Sequence, residues 1–222
     1  MAVFRKRSYL FVRKKGGPMF RKEFGEAVWH FTTNTAYTET LYQDIIKCYS
    51  SRGRYYHTLK HLEDITRKLA PVKARIEDWP VLVFAIAYHD VVYNILQQNN
   101  EEMSATFAQE ILNPLLSADE LERCLQLIMA TKSHQASASG DINYFIDADL
   151  SILGAEQERY QLYKEQIRKE YQYYPDMVYK PGRQKVLNHF LGMDRIFKTD
   201  CFYNKYEASA RNNLAKELFE LL

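Results

Sequence analysis

Seven residues in this chain have the types and spacing to do metal chemistry. His57 and His61 lie four apart in YYHTLKHL, and His89 and Asp90 are adjacent in AIAYHDVVYN. His134 stands alone, and Asp147 and Asp149 flank an alanine in FIDADLSILG. Imidazole and carboxylate donors together make a mixed nitrogen and oxygen site, suited to Mn, Fe, Co, Ni or Zn and less to Ca. Such a site leaves positions open for water and brings the pKa of bound water toward neutrality. If His57 and His61 share a helix, both project from one side of it. No Glu follows His57, so the pair is not the HExxH of metalloproteases.

The elements that must position these residues read as helices. Residues 79–94, WPVLVFAIAYHDVVYN, begin as an apolar run and end on His89-Asp90. Asp78 is placed to cap that helix, and Pro80 is tolerated in its first turn. The run is apolar on nearly every face, which predicts a buried central helix. An imidazole and a carboxylate at its end need a compensating partner, because burying them unpaired is costly.

Around it, residues 40–49 and 55–70 predict helices. Leu62, Ile65 and Leu69 form one apolar stripe, and Pro71 is the stop. Met103, Phe107 and Ile111 share a face of the next helix. Ser117 and Glu120 form a capping-box pattern that opens another. Residues 136–140 read as a loop, and residues 144–154 end at the natural stop Gly154. Residues 156–174 are amphipathic and rich in tyrosine. A helix is expected to open at Pro181, and the last runs over 206–222. The expected class is all-α: a helical bundle of roughly eight or nine helices around one core.

The chain has 222 residues, which predicts one domain over 23–222 behind a basic extension at 1–22. Residues 1–30 carry a balance of +6, although the net charge is only +2. Gly16-Gly17-Pro18 breaks any element there. The near-neutral total implies no specific nucleic-acid binding. Three well-separated cysteines suit a reducing, cytoplasmic setting rather than a disulfide scaffold. No apolar run approaches a membrane span.

The order of these motifs resembles the HD-domain superfamily of metal-dependent phosphohydrolases. The residues that carry the likeness are His57 in RYYHTLKHL, His89-Asp90 in YHDVVYN with NNEEMSA after it, Asp149 in FIDADLSILG, and EASARNNLAKEL near the end. The closer likeness is to an uncharacterised subfamily, and it covers residues 24–222. The resemblance implies one divalent ion (Mn, Fe, Co, Ni, Zn or Mg) held by His57, His89, Asp90 and Asp149, with Asp90 also orienting the nucleophile. The family pattern favours His57 over His61 and Asp149 over Asp147. It leaves His61 as a neighbour that contacts substrate or supports a ligand from behind, and Asp147 as a helix cap.

The implied activity is hydrolysis of a phosphate ester or anhydride, most naturally of a small phosphorylated molecule such as a nucleotide. The alternative is a retired metal- or nucleotide-binding module. The sequence departs from parts of the family. The acidic pair of alarmone hydrolases is missing, because Tyr93-Asn94 follows His89-Asp90-Val91-Val92. Only His134 lies between the HD pair and the last Asp, which argues against two metals. A general acid or base is then sought at Glu101 or Glu102, with Glu102 the choice. Arg54, Lys60, Lys132 and His134 are the candidates to meet the phosphate.

Overall fold

The computed structural model describes residues 19–222. Over them lie ten α-helices and no strand. They are α1 (Met19–Phe31), α2 (Thr35–Tyr49), α3 (Leu59–Leu69), α4 (Trp79–Tyr88) and α5 (Asn100–Leu112). Then come α6 (Ala118–Ala130), α7 (Gly140–Leu150), α8 (Gln157–Glu170), α9 (Asp176–Leu191) and α10 (Asp200–Glu220). Short 3-10 turns follow α3 (Ala70–Arg75) and α7 (Ser151–Gly154). The all-α expectation therefore holds. Of the basic extension expected over 1–22, residues 1–18 lie outside the described residues. Residues 19–22 form the first turn of α1, with Phe20 buried.

Helix α4 is the axis of the fold. Every residue from Val81 to Tyr88 is at most 1% exposed, as an all-round apolar sequence requires. Asp78 accepts the Val81 N–H at 3.2 Å and so caps the helix. Its other oxygen pairs with Arg123 at 2.7 Å. Helices α1, α3, α5, α6 and α7 all pack on α4. Because α3 also packs on α7, the faces of three helices meet beside the C-terminal end of α4.

Two local arrangements hold the second half of the chain to this centre. The turn after α7 lies so close to α10 that a Cβ on Gly154 would stand 2.6 Å from the Tyr206 Cβ. Asn213 on α10 donates to the carbonyls of Leu153 and Ala155, each at 2.9 Å. The short helix bearing Asp147 and Asp149 is thereby tied to α10 from its far side.

Several boundaries differ from the sequence expectation, among them the starts of α2, at Thr35 rather than residue 40, and of α10, at Asp200 rather than residue 206. Helix α3 begins at Leu59 rather than residue 55, because Thr58 before it is extended (φ −118°, ψ 178°). Helix α7 begins at Gly140, since Ser139 caps it by accepting the Ile142 N–H. Pro181 lies inside α9 instead of opening it. Pro181 is exposed there, so the ring meets solvent rather than a neighbouring helix.

Candidate metal centre

His89 stands one residue past α4 and is 1% exposed. Its Nδ1 lies 3.0 Å from the Ile86 carbonyl oxygen. A carbonyl only accepts, so Nδ1 carries a hydrogen and the ring nitrogen left to meet the centre is Nε2. That Nε2 lies 3.1 Å from Asp90 Oδ2 and 3.2 Å from His61 Nε2.

His61 projects from the first turns of α3 and is also buried. Its Nε2 lies 3.1 Å from Asp149 Oδ1 and 3.8 Å from Asp90 Oδ2. His61, His89 and Asp90 each place a donor atom within 4.8 Å of the others. Asp149 joins from α7, 3.9 Å from His89 Nε2 through the oxygen that faces His61. Its other oxygen lies 2.9 Å from His134 Nε2. His134 has φ +52°, the left-handed region, where a non-glycine residue is strained. That conformation turns its ring onto Asp149.

The electrostatics require a positive charge at the middle. Two imidazole nitrogens face each other, and both face carboxylate oxygens. Burial opposes a charge on His89, but Asp90 and Asp149 raise its pKa to about 9. Burial lowers that of His61, as do His89 and His57 beside it. Burial would raise the pKa of Asp90 and Asp149, yet the histidines hold both carboxylates below their usual range. A proton shared among lone pairs satisfies this geometry, and so does a cation. The donor set of two imidazoles and two carboxylates suits a divalent transition metal.

His57 does not stand with this group as a fourth equal partner. It lies before α3, so it does not share a helical face with His61. Its Nδ1 is 2.7 Å from Glu170 Oε2, and its Nε2 is 3.8 Å from Asp90 Oδ2. Glu170, at the end of α8, is 2% exposed. Its Oε1 accepts the N–H groups of Tyr55, Tyr56 and His57 at 2.7, 2.8 and 3.0 Å. Its Oε2 also accepts from the Tyr93 hydroxyl at 2.9 Å. Burial works against the Glu170 charge, but the bonds from His57 and the backbone draw its pKa down to about 2. The pKa of His57 rises: burial opposes this, while Asp90 and Glu170 favour it. Tyr93 lies against the His57 ring, with centroids 4.4 Å apart.

Glu170 is the residue that sequence reasoning missed. One signal was available. Tyr160, Tyr163, Ile167 and Glu170 recur at spacings of three and four on the buried face of α8, so this carboxylate occupies a core position.

The remaining candidates fall in other places. Arg54 is occupied with backbone: it donates to the carbonyls of His57, Asp90 and Val91 at 3.1, 2.8 and 3.0 Å. Its guanidinium lies over the rings of Tyr49 and Tyr93. It fastens the loop before α3 to the turn after α4 and is not turned toward a ligand. Lys132 pairs with Glu102 near the surface. That pairing holds Glu102 ionised, which makes it a poor proton donor. Glu101 makes no contact with the centre. Lys60 pairs with Asp64 at 3.0 Å.

Asp147, 0% exposed, caps not its own helix but the start of α10. It accepts the N–H groups of Lys198 and Thr199, each at 2.7 Å, and the Thr199 hydroxyl. Residues two apart on a helix face different ways, so Asp147 serves α10 while Asp149 faces the histidines.

Among the described residues no helix is long and apolar enough to cross a membrane. Comparison with protein-family models, curated proteins and solved structures gave no match. The fold and the site thus define an all-helical protein with a buried group of histidines and aspartates able to hold a metal ion.

Proposed function

We propose that this chain is a metal-dependent phosphohydrolase of the HD-domain kind, cleaving a phosphate ester or anhydride of a nucleotide. The observation that supports it most is the convergence of His61, His89 and Asp90 from two separate helical segments, with Asp149 brought in from a third. This is the His, His-Asp, Asp order on which the sequence resemblance rests, with His61 in place of His57.

In this reading His61, His89, Asp90 and Asp149 hold one divalent ion. When bound, such an ion neutralises phosphoryl oxygens and makes a bound water acidic. The other tasks belong to the protein. Glu170 fixes the His57 ring through Nδ1 and leaves Nε2 beside Asp90, the arrangement of a base and its orienting carboxylate. His57 Nε2 takes a proton from the attacking water and returns it to the leaving oxygen. Tyr93 covers one face of the ring and keeps bulk water from it. His134 holds Asp149 in orientation.

The test is elemental analysis of the purified protein, followed by a hydrolysis screen of the metal-loaded protein against nucleotides and generic phosphate esters. The expected result is about one equivalent of transition metal and turnover that a chelator abolishes. A protein that retains no divalent metal after dialysis and cleaves none of these compounds overturns the proposal.

A further inference from the structure

A cleft of about 160 Å³ opens beside the centre, between α3, the 151–154 turn and α8, and it shares His61 and Asp149 with the centre. Lys60, Lys68 and Arg159 line it together with Asp64. On α3, residues 60, 64 and 68 fall one turn apart, so they share the face that runs away from His61. Lys68 lies seven positions beyond His61, a rise of about 10 Å.

The charges in the cleft do not balance. Asp149 is already held by His61 and His134. Asp64 is the remaining carboxylate, and it meets both Lys60 at 3.0 Å and Arg159 at 3.1 Å. Lys68 has no acidic partner among the described residues. It donates to the Tyr206 hydroxyl at 2.8 Å and lies over that ring. Lys68 is half-buried, and a cation so placed is stabilised by an anion brought beside it. The bond to Tyr206 fixes where that charge stands.

We propose that this cleft receives a chain of two or more phosphate groups running from the His/Asp centre toward Lys68. This rests on reading that centre as the place of phosphoryl hydrolysis, and it narrows the substrate class to phosphoanhydrides. A monoester's single phosphate would engage the centre and leave Lys68 without an anion. In an anhydride, water oxygen forms the new bond to phosphorus. The bridging P–O bond breaks, and its electron pair leaves with the departing phosphate. The protons of the water are shared between the two products and solvent.

Calorimetric titration of the purified, metal-loaded protein tests this with probes that are not hydrolysed. These are methylenediphosphonate and the α,β-methylene analogue of adenosine diphosphate, as magnesium complexes at fixed ionic strength, with inorganic phosphate as the single-group control. Lys68→Gln and Arg159→Gln are each expected to weaken the diphosphonate about tenfold, the loss of one charge-assisted contact. Inorganic phosphate should change less than about twofold, and Lys185→Gln, an exposed cation outside the cleft, should match wild type. Lys60→Gln, with a side chain 68% exposed, replaces Lys68→Gln if the latter melts early.

Tighter binding of the nucleotide analogue adds a base contact to the cleft's phosphate contacts, and equal binding assigns the affinity to the phosphate chain alone. A wild type that binds neither diphosphonate nor the nucleotide analogue overturns the proposal. So do cleft variants that bind both as wild type does. If the variants lose binding while the wild type hydrolyses nothing, the cleft stands and the hydrolase reading falls. If the wild type is an active hydrolase and the variants bind unchanged, the reverse follows.

Discussion

Glu170 reaches His57 across 113 residues of chain, with Oε2 2.7 Å from Nδ1. The same carboxylate gathers three consecutive N–H groups and a tyrosine hydroxyl. One side chain thus closes the loop before α3, orients the ring that faces Asp90 and fixes Tyr93. Truncating it leaves buried donors unpaired. Glu170→Ala is expected to lose about 3–5 kcal/mol of stability, measured by urea denaturation. A loss below about 1 kcal/mol would mean that the loop holds its own shape.

The pH dependence of stability follows from the same group. The carboxyl has a folded pKa near 2, below its ordinary value of 4.5. A depressed carboxylate pKa contributes stability that is fully present above the unfolded value. The contribution is lost as pH falls from about 4.5 toward 2 and protons bind the unfolded chain first. It amounts to about 3 kcal/mol for this buried group. Wild type should therefore lose stability over that window more steeply than Glu170→Gln. Parallel urea midpoints for the two proteins between pH 5 and 3 would contradict the assignment.

Metal retention separates the two histidines that lie four apart. His61→Ala and His89→Ala should empty the site, whereas His57→Ala should keep most of the metal and lose turnover by about 100-fold or more. Elemental analysis after dialysis decides between them. If His57→Ala empties the site and His61→Ala keeps its metal, the ligand is the one that the family pattern favours.

Glu102→Gln and Lys132→Ala should leave turnover within about twofold and stability within about 1 kcal/mol, as expected for an exposed ion pair. A hundredfold loss in Glu102→Gln alone would return that carboxylate to the chemistry.

Two glycine replacements should act in opposite directions. Gly154→Ala puts a methyl group against Tyr206 on α10, where the contact would be 2.6 Å, and should destabilise by about 1–3 kcal/mol or more. Gly25→Ala in α1 meets nothing within 4 Å and should stabilise by about 0.5–1 kcal/mol. Thermal melts of the pair provide the check, and equal shifts would discount the close approach.

The parts legible in the sequence are those fixed by near neighbours. Helix α4 follows from its unbroken apolar run, and its cap from Asp78. The Ser117–Glu120 capping box forms as its spacing predicts. His89-Asp90 stood out because a polar pair ends an apolar helix. The start of α3 was not legible. Nothing in Tyr55-Tyr56-His57 breaks a helix, and the carboxylate that gathers their N–H groups into a loop is Glu170, far along the chain. Reading His57 and His61 as one helical face failed for that reason. The choice between Asp147 and Asp149 depends on the rotation of α7, which is set by its packing on α3 and by the start of α10.

His134 places stability and chemistry in opposition at one position. Its φ of +52° suits glycine, and a glycine there would relieve roughly 1 kcal/mol of backbone strain. The same change would remove the imidazole that holds Asp149. Selection for a hardier protein and selection for a working centre would therefore choose different residues here. A library at this position scored separately for melting temperature and for bound metal should rank its members in two different orders.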